Sequence, residues 1–200
     1  MNSDVVQSPH RPRRPSTRSA IVDAAIATLA GNPDAGMSAI ADTAGVSRAT
    51  LHRHFPGRQS LIDAIGLLAI RETDAAVSAI DHANMASADY LRAVFDAVVP
   101  LGDRYHFLAV TAQGAASEEV RTAYARQIRG VEEMVRWMAR DGAVAADVPV
   151  DWAVLVIDSL IYTAWTSVRD GAVAPRQAAA LACRTFLSGL SGLSGPARDE

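Results

Sequence analysis

A chain of 200 residues, half of them apolar and a fifth charged, can bury one or two sizeable cores and is too apolar to be disordered throughout. Thirteen glycines and nine prolines exclude collagen-like or low-complexity sequence, and a single cysteine excludes an internal disulfide. All 19 basic residues are arginine, which excludes a Schiff-base lysine and a lysine-bearing phosphate loop. The net charge of −3 conceals an asymmetry. Residues 1–60 hold seven arginines against four aspartates, whereas the remainder holds twelve against eighteen acids, so one end suits a polyanion and the other does not.

No stretch alternates with period two between turn residues, while helix start and stop signals recur throughout, so an all-α fold is predicted. Residues 1–15, rich in proline and arginine, read as a disordered basic arm that lacks the apolar core of a secretory signal. The longest apolar stretch, Val148 to Trp165, contains Asp151 and Asp158, which a bilayer would penalise. A cytoplasmic protein without membrane contact is therefore expected. Ser16 or Thr17 caps a first helix with Ile21, Val22, Ala25, Ile26 and Leu29 at helical spacing, ended by Gly31, Asn32 and Pro33. A short second helix is predicted from about Met37 to Ala44 and a third from Ser47 to about His54, with Gly45 turning between them and Pro56 and Gly57 ending the third. From Arg58 a longer fourth helix, with Leu61, Ile62, Ile65, Leu68 and Ala69 toward a core, leads out of the basic region.

Ser87 then opens a helix with Leu91, Val94, Phe95 and Val98 that ends before Pro100, and a short helix is predicted from Asp103 to about Gln113. Ser117 with Glu118 and Glu119 starts another, carrying Ile128, Val131, Val135 and Met138 as far as Gly142. Two helices close the chain, roughly 150–170 and 175–190. The first is apolar on every face from Trp152 to Trp165 and is expected to be buried on both sides. The second carries Ala178, Ala179, Ala182 and Gly189, small residues that admit a neighbouring helix closely, and residues 191–200 read as a flexible tail. The domain division expected is 1–15 arm, 16–62 helix-turn-helix domain, 63–190 effector-binding and dimerisation domain, and 191–200 tail.

The segment Met37 to Pro56, MSAIADTAGVSRATLHRHFP, meets the packing demands of a helix-turn-helix: Ile40 and Ala44 point inward, Ala41 is small where the helices cross, and Val46 and Leu51 close the core. His54 stands where an apolar residue is expected, and Phe55 can supply that anchor. At 100° per residue Arg48, Ala49, His52 and Arg53 share one arc of the third helix. Arginine can hold guanine O6 and N7 with two parallel hydrogen bonds, alanine can touch a thymine methyl, and histidine or threonine can bond bases or phosphates.

The stretch from Ser19 to Ile65, and above all AIADTAGVSRATLHRHFPGRQSLIDAI, resembles the DNA-binding domain of the TetR family of bacterial transcriptional regulators. The resemblance implies a third helix that reads the major groove of each half of a palindromic double-stranded DNA operator, followed by a helical ligand-binding and dimerising domain. By position, Arg48, Ala49 and Arg53 would face bases, and Thr50, His52 and Arg58 the phosphate backbone, with Arg18, Ser38 and Ser47 as further backbone candidates. Three residues depart from the family pattern: His52 in place of tyrosine, Arg58 in place of lysine, and Gly36 in place of a capping serine or threonine. Arginine keeps the charge and adds a planar fork, histidine keeps a donor but can titrate, and glycine remains a tolerable N-cap.

A metal site at His52 and His54 is disfavoured because residues two apart on a helix point about 200° from one another. His106 reads as a hydrogen-bonded core histidine and Cys183 as a buried, inert thiol. Phe95, Phe107, Met134, Trp137, Met138, Tyr162 and Trp165 are candidates to line a pocket for a small apolar effector, though any helical core needs such residues. Because one helix-turn-helix makes few base contacts, a homodimer is expected, with Leu160, Ala179, Ala182 and Leu187 at its interface. A ligand-responsive DNA-binding regulator, most often a repressor in the family it resembles, without catalytic residues, metal or cofactor, is the function expected. An all-α carrier or enzyme with an incidental basic domain is the alternative.

Overall fold

The computed structural model of the chain describes residues 16–102 and 116–190. The expected basic arm, the helix at 103–113 with His106 and Phe107, and the tail lie outside the described residues. Within them the fold is all α, without a strand: α1 (Thr17–Gly31), α2 (Met37–Thr43), α3 (Arg48–His54), α4 (Arg58–Ser78), α5 (Ser87–Val98) with a 3-10 turn at Val99–Leu101, α6 (Glu118–Arg140), α7 (Val150–Arg169) and α8 (Pro175–Leu190). The chain divides into two compact units at Arg58, four residues before the expected boundary.

In the first unit, Ser16 caps α1 by accepting the Ser19 N–H at 3.1 Å, and Ile21, Val22, Ala25 and Leu29 form its buried face. The α2–α3 corner is a Schellman turn: Val46 N–H reaches Ala41 O at 3.0 Å and Gly45 N–H reaches Asp42 O at 3.1 Å. Gly45 has φ +65°, a conformation in which a side chain would clash with its own backbone. Ile40, Ala41 and Leu51 are buried at this corner, and Phe55, whose N–H returns to Leu51 O, is buried as the residue closing α3.

In the second unit, Leu91, Phe95 and Val98 of α5, Met134, Val135 and Met138 of α6, Ile157 and Ile161 of α7, and Ala179, Ala182 and Phe186 of α8 belong to one buried cluster. Two connections are built on side chains distant in sequence. The residue preceding α5 is Ala86, which cannot cap, and Asp141 at the end of α6 takes that role by accepting the Ser87 Oγ–H at 2.7 Å and the Ser87 N–H at 3.3 Å. On α4, Asp63 accepts the Ser117 N–H at 3.2 Å just before α6. Gly102 packs its backbone against the Trp165 ring, where a β-carbon would overlap the indole.

Within the single chain only one side of 152–165 is covered. Ala153, Ile157, Ile161, Ala164 and Trp165 are buried, but Trp152, Leu155 and Tyr162 on the opposite side are 60%, 64% and 41% exposed. The small residues of α8 face the other way from the expected outer contact. Ala179 and Ala182 are buried in the chain's own core, where α8 meets α5 and α7, and Leu160 and Leu187 are half-buried against it.

Candidate DNA interface and effector cavity

The exposed surface of α3 carries Arg48, Ala49, His52 and Arg53, all solvent-accessible on one arc of a helix without an acidic residue. Ser47 fixes the start of this helix: its Oγ accepts the Thr50 N–H at 3.1 Å and donates to Thr50 Oγ1 at 2.9 Å. Ser47 and Thr50 are therefore occupied with the cap while their outer lone pairs stay open to water. His52 Nδ1 lies 3.4 Å from Pro56 O, an acceptor, so the ring presents its Nδ1–H there and keeps Nε2 for other contacts. Ser38 is half-buried on α2. Arg18 is exposed, with its guanidinium carbon 4.8 Å from the centre of the Phe55 ring, so α1 and the end of α3 meet through a cation over an aromatic face.

Arg58 has an unexpected placement. Its guanidinium donates one hydrogen bond to Ala35 O and another, at 2.5 Å, to Pro33 O, gripping the loop between α1 and α2. That loop leads into α2, whose N-cap Gly36 offers no side-chain oxygen. The fork of Arg58 supports, from outside, the helix start that lacks its own cap.

In the second unit α4, α5, α6 and α7 line a partly open cavity of about 340 Å³, a size that suits a small organic ligand. Its walls are mostly apolar: Val77, Val94, Val98, Ile128, Val131, Met134, Val154, Ile157 and Ile161. Polar side chains also reach the lining, from Thr73, Asp74 and Ser78 on α4, Tyr90 on α5, Tyr124, Arg126 and Gln127 on α6, and Asp158 on α7. Asp74 accepts from Gln127 Nε2 at 3.0 Å and from Arg126 Nη2 at 3.4 Å. Tyr124 faces the cavity close to Asp158, and burial, reinforced by that carboxylate, pushes its phenol up to about 12, so it stays a neutral donor. Tyr90, also raised by burial, lines the cavity and stacks obliquely on Trp137 and His82, with ring centres 5.7 and 5.1 Å away.

Of the pocket candidates, Met134 lines this cavity, Phe95 and Met138 lie in the surrounding core, and Trp137 stands behind Tyr90. Trp165 is buried between Gly102 and the Arg169 guanidinium, whose carbon is 4.7 Å from the ring centre, and Tyr162 lies on the exposed face of α7. Sequence reasoning by size and aromaticity passed over Asp74, Tyr124 and Asp158. The signal available was position: each is a polar residue on a helix face otherwise occupied by apolar side chains. Cys183 is buried, and burial pushes its thiol up, away from the reactive thiolate.

A helix-turn-helix unit with an exposed arginine-bearing recognition helix, joined to an all-helical unit with a partly open apolar cavity, defines a class: helix-turn-helix DNA-binding regulators. Residues 21–65 match the family model of bacterial regulatory proteins of the tetR family. The HTH-type transcriptional repressor LfrR of Mycolicibacterium smegmatis is 30% identical over 171 residues, 86% of this chain and 87% of that protein. The chain belongs to the TetR family and is a DNA-binding transcriptional regulator. The crystal structure of LfrR in complex with proflavine superposes with a TM-score of 0.72 at 28% identity, covering 88% of this chain and 97% of that one. A TetR-family regulatory protein from Rhodococcus RHA1 shares the fold with the same TM-score at 19% identity, over 88% and 98% of the two chains. No helix among the described residues is long and apolar enough to cross a membrane.

Proposed function

We propose that the protein is a cytoplasmic, homodimeric repressor that binds a palindromic operator and is released from it by a small, largely apolar effector. The observation that carries this reading is the presence, in one chain, of an exposed basic recognition helix and a separate, partly open apolar cavity of ligand size. Arg48, Ala49 and Arg53 read bases, and Arg18, Ser38, Ser47, Thr50 and His52 hold phosphates. Arg58 acts first as the clamp of the α1–α2 loop. The effector occupies the cavity between α4 and α7, a role supported by the small molecule bound in the LfrR crystal structure. Ligand binding releases DNA to the extent that it favours one of two states of the chain over the other.

The second copy covers the stripe of Trp152, Leu155 and Tyr162, which recur at three- and seven-residue intervals on one side of α7. Leu160 and Leu187 flank that contact, while Ala179 and Ala182 support it from the core. Chemistry on a substrate forms no part of the function; like its relatives, the protein acts by binding.

Selection of bound duplexes from a random pool tests the reading. An inverted repeat bound by two copies, with preference surviving at about 0.2 M salt, is expected because base contacts outlast simple charge pairing. Recovery of single half-sites occupied by one copy, or of no common sequence, would refute it.

A further inference from the structure

One residue of the cavity wall lacks a side chain for no reason found within the chain. Gly130 lies in the middle of α6, with ordinary helical backbone, exposed at the margin of the lining. Among the described residues, a Cβ built on it meets nothing within 4 Å. Neither a turn nor a close approach of packed elements calls for glycine here, and inside a helix only proline is less favourable. At 100° per residue Arg126, Gly130 and Trp137 fall within about 40° of one another, on one edge of α6. That edge has a polar contact at one end and an aromatic contact at the other. Asp74 of α4 accepts from Gln127 Nε2 at 3.0 Å and from Arg126 Nη2 at 3.4 Å. Ten residues further along α6, Trp137 stacks on Tyr90, which stacks in turn on His82 of the α4–α5 connection. Along both helices Gly130 and Ser78, exposed and in the lining, fall between these two contacts.

Building on the effector reading above, we infer that the effector enters and leaves between Ser78 and Gly130, and that Gly130 sets the width of body admitted. The surface met just inside is apolar, from Val77, Val131 and Met134. The ligand class that fits is a flat aromatic or unbranched aliphatic body, which can slide across bare helix backbone where a side chain would stand in its way. Helix stability is given up at Gly130 in exchange for passage.

The test follows N-phenyl-1-naphthylamine, a flat neutral dye, binding to the full-length protein by stopped-flow fluorescence, with release read as loss of a selected operator fragment. Gly130→Leu is expected to slow association and dissociation alike by at least about fivefold while Kd moves by less than about twofold, because an obstruction at a mouth raises the barrier equally from both sides. Gly130→Ala should slow both rates less and raise the urea midpoint, since alanine favours the helix. The open space around the Cβ lets both variants fold. Ala125→Leu, which adds comparable bulk on an exposed part of α6 outside the lining, should leave the rates as they were. Unchanged rates in Gly130→Leu, or equal slowing in Ala125→Leu, would overturn the assignment. A weaker Kd carried by faster dissociation alone would also overturn it, making Gly130 part of the seat, and so would loss of a dimer at unchanged rates, making it part of an interface between copies. Failure of the dye to bind the unaltered protein would overturn it as well. Slowed exchange in Gly130→Leu, with a dye that saturates the unaltered protein and leaves the operator bound, would sustain the mouth and remove the effector reading on which it was built.

Discussion

Replacing Arg58 with alanine separates two roles that one side chain can play. The guanidinium donates to Pro33 O and Ala35 O, the first exposed and the second partly buried. A hydrogen bond from a charged donor contributes about 1.5 to 3 kcal/mol when sheltered. Water replaces the exposed bond at little cost, so the partly buried one dominates and a loss of about 1 to 2 kcal/mol is expected for the DNA-binding unit. Arg58→Lys should recover less than half of that, since an ammonium cannot bridge two carbonyls as a planar fork does. The assay pairs hydrogen exchange of the α2 amides with operator affinity measured across a salt series. If Arg58 is mainly a clamp, α2 exchanges faster, affinity falls, and the slope of log affinity against log salt stays within a few tenths of the original. A direct phosphate contact would instead lower that slope by about one while leaving α2 protection unchanged. That second outcome would refute the clamp and restore the role that the family resemblance implies.

Arg48→Ala should cost about 1 to 3 kcal/mol of operator affinity and relax preference at one base position, and a uniform loss over a panel of operator variants would remove it from the base readers. Leu155→Arg, at a site exposed in the single chain, should yield a folded monomer in sedimentation, whereas Ala182→Arg, which buries an unpaired charge, should impair folding itself; a dimeric Leu155→Arg protein would place the interface elsewhere. Hydrogen bonds from Ser87 hold the Asp141 carboxyl below its ordinary value of 3.8. Its stabilisation is therefore present above that value and lost as pH falls through the lower, folded one. Urea midpoints of the parent and of Asp141→Asn should differ at neutral pH and converge below about pH 4, and a gap that widened on acidification would contradict the bond.

The helix-turn-helix was legible because its constraints are local. Gly45 at the left-handed position, Ser47 at the cap, and Ile40, Ala41 and Leu51 at the crossing all lie within a dozen residues, where helical periodicity alone decides which side chains meet. The all-α class and most helix ends followed from the same short-range rules. The cavity did not, because its walls come from α4, α5, α6 and α7, and a residue such as Asp158 acquires meaning only when Tyr124, more than thirty residues earlier, is packed beside it. Size and aromaticity drew attention to Phe95, Met138 and Trp165, which the fold uses as core, and away from the polar groups that line the cavity. The capping of α5 by Asp141 and the hold of Arg58 on Pro33 and Ala35 are likewise invisible in one dimension, joining residues 54 and more than 20 positions apart. Composition likewise showed that the helix from Trp152 to Trp165 was apolar all round. Only packing decided which side the chain buries itself and which it leaves exposed, since one helix can turn only part of its circumference toward a single core.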